Sequence, residues 1–166
     1  DEDEIPIVPN STSVQQALKR GADVVGATVF QISRQENVGA FDLLFIDEAG
    51  QVPLANFISM AGCAKSAVLV GDQRQLEMPI QGIHPAGSGY SCLEYPLGSD
   101  CVTVPKDLGL FLNRSYRMAP KICTFISGAM YDNRLTPHER TEQNSVDICN
   151  SELLTKGSGV QFVGHV

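Results

Sequence analysis

Two short stretches constrain this chain more than any others, because each drives an apolar run straight into acid. "FDLLFIDEAGQ" (Phe41 to Gln51) carries Leu43, Leu44, Phe45 and Ile46 without a polar break and then sets Asp47 beside Glu48. "SAVLVGD" (Ser66 to Asp72) repeats the arrangement, with Gly71 providing a tight exit before Asp72. An unbroken apolar run of this length reads as a strand covered on both faces, as in a parallel sheet. A helix expected from about Leu54 through Ala64 separates the two runs. Strand, helix, strand with acids at the carboxyl ends is the rhythm of a doubly wound α/β sheet, whose ligands sit outside those ends.

Each polar group has a plain structural role as well as a chemical one. A carboxylate on a buried strand tip can hold Mg²⁺, which takes oxygen ligands and keeps part of its hydration. A neighbouring carboxylate can orient and deprotonate an attacking water. Alternatively, Asp47 and Glu48 cap the next helix, where acids complement the dipole. After Asp72, Gln75 offers a neutral amide to a phosphate oxygen or a positioned water, or else belongs to a solvated turn. In "NRSYRM" (Asn113 to Met118), Arg117 follows an expected strand over 108–118, where it is either a surface residue or a cation that reaches across a cleft to stabilise phosphoryl charge.

The remaining chain frames these groups. "VQQALKRG" reads as a helix stopped near Gly21, and "ADVVGATVF" (Ala22 to Phe30) as a buried strand. Between Glu77 and Asp107 the composition turns to Pro, Gly and Ser, a long loop with a short helix near "SCLEYPL" and a change of domain. "APKICTFISGAMY" (Ala119 to Tyr131) has Ile122, Phe125, Ile126 and Met130 at helical spacing, with Pro120 suited to the first turn. "SGVQFVGHV" (Ser158 to Val166) is expected as a strand that stops with nothing after it, as though excised from a longer protein. The organisation expected is an acidic, Pro-containing entry over 1–13, one domain piece over 14–105 and the start of another over 106–166.

Composition excludes several classes. A net charge of -7 gives no whole-chain basic footprint of the kind carried by an autonomous nucleic-acid-binding module. Lys19, Arg20 and Arg34 lie around Thr28, and Lys106, Arg114, Lys121 and Arg134 lie further on, more in the manner of ordinary surface charges than of a groove. Cys63, Cys92, Cys101, Cys123 and Cys149 are odd in number and form no C-x-x-C pair, so free, mostly buried thiols are expected and neither zinc nor a disulfide framework is. No apolar run approaches the ~20 residues that span a bilayer, and from the acidic opening no signal peptide is expected. A cytoplasmic protein with no membrane partner is expected.

In order along the chain, "DEAGQ", "GDQRQL" and "SYRMAP" resemble motifs II, III and IV of superfamily 1 helicases, in the branch related to the helicase of nonsense-mediated mRNA decay. The matching patterns are DE-x-x-Q, G-D-x-x-Q-L and Y-R-M-x-P. "ADVVGATVF" resembles the segment in which a threonine contacts the nucleic-acid backbone, with Thr28 in that place. The wording of "GDQRQLEMPIQGIHPAGSGYSCLEYPL" and "FLNRSYRMAPKICTFISGAMYDNRL" is similar to bacterial proteins that join such a helicase to a RecB-like nuclease domain. The resemblance runs from about Ala17 onward. It implies a RecA-like P-loop NTPase fold in part, namely the C-terminal half of the first RecA-like domain and the start of the second. It implies Mg²⁺ and ATP as cofactor and substrate, with single-stranded DNA as partner and RNA as the alternative.

Residue by residue, the resemblance implies that Asp47 coordinates Mg²⁺ and that Glu48 is the general base for the hydrolytic water. Gln75 senses the γ-phosphate, with Gly71 and Asp72 beside it in the nucleotide site, and Arg117 is an arginine finger from the second RecA-like domain. The pattern departs in one respect: no G-x-x-x-x-G-K-S/T loop occurs. "SMAGCAKS" (Ser59 to Ser66) is the nearest decoy, but it follows the Asp-Glu strand and lacks the glycines, so Lys65 reads as a surface residue at a helix end. Without the lysine and amides that cradle phosphates, the chain by itself is expected to be inactive. The alternative class is a catalytically degenerate P-loop module serving as scaffold or nucleic-acid-binding element.

Overall fold

The two acid-tipped runs lie side by side. β1 (Phe41–Ile46) pairs in parallel with β2 (Ala64–Leu69), in the register Phe41 to Ala64 through Ile46 to Leu69. Parallel neighbours need a crossover, and α3 (Leu54–Ala61) supplies it, ending before Gly62 so that Ala64 already belongs to β2. The structure, a computed structural model, describes residues 13–75, 82, 85–145, 157 and 159. It divides into two compact units, Asp1–Ser99 and Asp100–Val166. The strand expected over 158–166 lies outside the described residues, Gly159 excepted, as does Cys149.

In the first unit, α1 (Val14–Lys19) starts with a reciprocal cap. The Gln16 amide donates to Ser13 Oγ at 3.2 Å, and the Ser13 amide donates to Gln16 Oε1 at 3.0 Å. Gly21, at φ 87°, takes the left-handed conformation that ends the helix. Val14 joins Ile32, Ile46, Ala49, Met60, Cys63 and Cys92 in one buried cluster, to which the Leu44 and Leu69 side chains add from the inner sheet face. Burial pushes the thiols of Cys63 and Cys92 above the ordinary 9.0, so both remain protonated near neutral pH.

The other sheet face departs from expectation. Phe45 is 66% exposed, and Leu43, Val68 and Val70 are exposed with it, so among the described residues β1 and β2 are covered on one face only. Their apolar sequence encodes cover for both. The strand expected over Ala22 to Phe30 is also absent. Residues 22–27 have no regular structure, Val24 is 89% exposed, and Val29–Ile32 form a helical turn, α2, with Thr28 at its N-cap. β propensity needs a hydrogen-bonded neighbour to be realised, and this segment pairs with neither strand. Lys65, expected at a helix end, is an exposed β2 residue whose ammonium bonds Asp42 at 2.6 Å and holds that carboxyl below its ordinary 3.8.

The second unit places a two-residue strand, β3 (Arg114–Ser115), beside β4 (Thr136–Pro137), again in parallel. The longer strand expected over 108–118 does not form. Leu110 and Leu112 are exposed, and only Arg114 and Ser115 find a partner. The short helix near "SCLEYPL" does form, as α4 (Glu94–Leu97) in the first unit. α5 (Pro120–Met130) has its proline in the first turn, but its buried stripe is not the expected one. Ala119, Cys123 and Ser127, four residues apart, face inward, whereas Phe125 and Met130 are exposed. Small residues at these positions let β4 approach the helix, and Ser127 Oγ accepts from the Leu135 amide at 3.0 Å.

Asn37 is the least accessible large side chain of the first unit. Its amide donates to the carbonyls of Gln31 at 2.7 Å and Ile32 at 3.4 Å, and its oxygen accepts from Gln15 Nε2 at 3.3 Å. Asn37→Ala leaves the carbonyls of Gln31 and Ile32, the latter buried, without this donor, so urea denaturation should show a loss of about 2 kcal/mol. Asp42→Ala, at a fully exposed ion pair, should leave the denaturation midpoint unchanged.

Candidate functional site

The backbone ladder between β1 and β2 continues past both strands, and this sets the site. Val70 N donates to the Ile46 carbonyl at 2.8 Å, and Ala49 N returns to the Val70 carbonyl at 2.9 Å. Asp47 and Glu48 are spanned by that pair of bonds and are both exposed at the strand tip. The Glu48 amide donates to Asp47 Oδ1 at 2.9 Å, which fixes the Asp47 carboxylate over the turn. Glu48 takes φ 51°, ψ 40°, a left-handed conformation that costs a non-glycine residue of order 1 kcal/mol. The bond from Gln51 N to the Glu48 carbonyl at 2.8 Å helps hold it there. The Glu48 side chain caps nothing, so the simple helix-capping role for this acidic pair is not realised.

Gly71 is where the second tip meets the first. A Cβ built on Gly71 would lie 2.7 Å from Ala49 N and 3.0 Å from Gly50 N, and one on Gly50 would lie 2.5 Å from the Asp72 carbonyl oxygen. Two backbones cross here at a distance that only hydrogen in place of a side chain allows. Gly71 therefore touches the acidic turn itself. Just beyond it, Asp72 Oδ1 accepts from Arg74 N at 2.9 Å, closing a turn, and Asp72 Oδ2 lies 3.4 Å from Gln75 Nε2. Gln75 is exposed beside it. Gln73 Oε1 and Arg74 Nε are buried without a hydrogen-bond partner among the described residues, an unusual state for polar atoms.

A third segment closes on this turn from the glycine-rich loop. Tyr90 and Cys92 bracket a bridge between Ser91 and Pro53, with Leu54 N on the Tyr90 carbonyl and Cys92 N on the Val52 carbonyl. The protonated Cys92 thiol donates to the Ala49 carbonyl at 3.3 Å. The structure thus brings together Asp47, Glu48, Gly71, Asp72 and Gln75. Thr28 is exposed at the start of α2, its side chain making no capping bond, and is not hydrogen-bonded to that set. Arg117 belongs to the second unit. It is exposed, and its guanidinium makes no hydrogen bond or ion pair among the described residues.

Two kinds of residue escaped the sequence reading. Gly50 had a signal, a second glycine placed to meet the one before Asp72. Cys92 had none, since its contact with Ala49 spans 43 positions.

Comparison with known proteins adds similarities. A family model described as an AAA domain matches residues 9–80. The chain is 33% identical over 129 residues to helicase sen1 of Schizosaccharomyces pombe, covering 73% of this chain and 7% of that protein. It is 35% identical over 112 residues to the DNA polymerase alpha-associated DNA helicase A of the same organism, covering 67% of this chain and 16% of that protein. The chain therefore spans a small part of these curated relatives. No solved structure gives a significant match. With the parallel strand pair, the AAA-domain match fits an α/β P-loop NTPase. More particularly, the chain is similar over residues 9–80 to an AAA domain and over most of its length to parts of two proteins named as helicases. Both relatives are fission yeast proteins, so they lend nothing to the bacterial reading or to fusion with a RecB-like nuclease.

The close approach at Gly71 is directly testable. Gly71→Ala should lower stability by about 1–3 kcal/mol in chemical denaturation, because the new methyl group meets backbone that cannot turn aside. Gly62→Ala, whose added Cβ meets nothing within 4 Å, should leave stability unchanged or slightly raised.

Proposed function

We propose that this chain is part of an ATP-dependent superfamily 1 helicase or translocase that hydrolyses ATP on single-stranded nucleic acid, DNA in the first instance. In this reading it holds the C-terminal half of one RecA-like domain and the start of a second, in a cytoplasmic protein. The observation that carries the reading is the joined pair of strand tips, which presents Asp47, Glu48, Asp72 and Gln75 from one rigid backbone unit. Preorganised polar groups at such a tip suit phosphoryl transfer to water, which asks for position and charge stabilisation more than for covalent chemistry.

The donor set fits Mg²⁺. Asp47 and Glu48 offer exposed carboxylate oxygens, and a metal that keeps waters and shares substrate phosphates needs only one or two of these. Asp47, whose orientation is fixed by the Glu48 amide, would hold the ion, and the ion supplies neutralisation of charge on the phosphates. Glu48, exposed on a left-handed backbone at the strand tip, would take the proton from the attacking water. Gln75, steadied by Asp72, would donate to the γ-phosphate or to that water. Gly71 meets the acidic turn through backbone contact and would line the nucleotide site beside Asp72. Arg117, with a guanidinium uncommitted among the described residues, would donate to the phosphoryl oxygens as their charge develops. Thr28 would contact the nucleic-acid backbone. The chain alone, having no G-x-x-x-x-G-K-S/T loop, would bind ATP weakly.

The test is ATP hydrolysis by the full-length protein that carries this chain, with and without single-stranded DNA. Turnover should be strand-stimulated and should fall by about 10² or more in Glu48→Gln. Absence of turnover under every condition would instead favour a degenerate P-loop scaffold.

A further inference from the structure

Arg117 is held by residues that lie more than twenty positions further along the chain. The loop from Asn113 to Met118 has almost no regular structure of its own, yet four of its carbonyls and the amides of Arg117 and Met118 have partners. The Asn113 carbonyl accepts from both Thr136 N at 2.8 Å and Thr136 Oγ1 at 3.0 Å, and the Ser115 carbonyl accepts from His138 N at 2.8 Å. Ser115 Oγ accepts from Met118 N at 3.1 Å and lies 3.4 Å from Arg117 N, closing the turn.

The next two carbonyls are taken by side chains. The Tyr116 carbonyl accepts from the Arg140 guanidinium, with Nη2 at 3.2 Å and Nε at 3.4 Å, while the same guanidinium stands 4.8 Å over the Tyr116 ring. His138 stacks on that ring at 4.4 Å between centroids. The carbonyl of Arg117 itself accepts from Asn144 Nδ2 at 3.0 Å. Asn144 is anchored in turn, since its amide donates to the carbonyl of Thr141, which is 1% exposed and bonds back to His138 through its hydroxyl.

We infer that Arg140 and Asn144 are positioning residues for Arg117, fixing the peptide units on either side of it while leaving its guanidinium free to reach a charged oxygen. This deepens the reading above and rests on it. A charged group that acts late in a reaction contributes most when its backbone is already ordered, because the ordering cost is then met during folding and not at the transition state. Side chains that grip carbonyls flanking one exposed arginine, and leave its guanidinium unpaired among the described residues, supply such order.

The experiment is a double-mutant cycle on ATP turnover by the full-length protein, with thermal stability measured in parallel. Asn144→Ala should lower kcat about threefold to tenfold, the loss expected of one hydrogen bond. KM for ATP should stay within about twofold, since an interaction made only in the transition state is lost. Arg140→Ala should behave alike, and Arg140→Lys, which retains a donor for the Tyr116 carbonyl, should recover part of the rate. In an Arg117→Ala background, already slowed by about 10³, neither change should cost more than about twofold further. Because Asn144 is exposed, its variant should melt with the wild type.

A normal rate in Asn144→Ala and Arg140→Ala, or losses that add in full to that of Arg117→Ala, would overturn the inference while the helicase reading stands. A wild-type protein with no turnover at all would overturn both.

Discussion

The crossing of two backbones at Gly71 is the constraint on which the rest of this structure depends. A parallel pair of strands ordinarily frays where its last side chains leave the sheet. Here the ladder continues through Val70, Ile46 and Ala49, and Gly71 allows the two exits to touch. The left-handed backbone of Glu48 is the visible cost, small beside the bonds that enforce it. Cys92 adds a third tie through the Ala49 carbonyl, so the acidic turn is gripped by the neighbouring strand and by a loop distant in sequence. Exposed carboxylates are thereby set on a backbone that has little freedom left.

The second unit reaches a comparable end by other means. No long strand supports Arg117, because β3 and β4 are two residues each. Its loop is fixed by side chains that donate to backbone carbonyls, which suits an irregular segment whose amides and carbonyls would otherwise be solvated. In both units the candidate side chain is left exposed while the peptide beside it is bonded.

Much of this was legible in the sequence, and the remainder was not, for identifiable reasons. The β1 and β2 pair announced itself through continuous apolar residues ending in acid, and the start of α5 through Pro120. The inward face of α5 was misread because size was taken for burial. Cys123 and Ser127 are buried by close approach of β4, which no single-helix pattern reveals. Residues 22–30 have strand composition without a strand to pair with, and 108–118 meet a partner at only two positions. The residues that brace Arg117 carry no motif, being ordinary polar groups made specific by a fold that brings position 144 to position 117. The AAA-domain match ends at residue 80, and so includes the acidic tips but not Arg117 or its supports.

The central claim is that the joined strand tips hold the phosphates of a magnesium nucleotide. The most direct measurement is the affinity of the full-length protein for a non-hydrolysable ATP analogue, titrated by fluorescence in magnesium and again in chelator, for the wild type and Asp47→Ala. The account predicts that magnesium strengthens binding to the wild type and has no such effect on the variant, the two proteins being equal in chelator. Equal magnesium enhancement in both would contradict it.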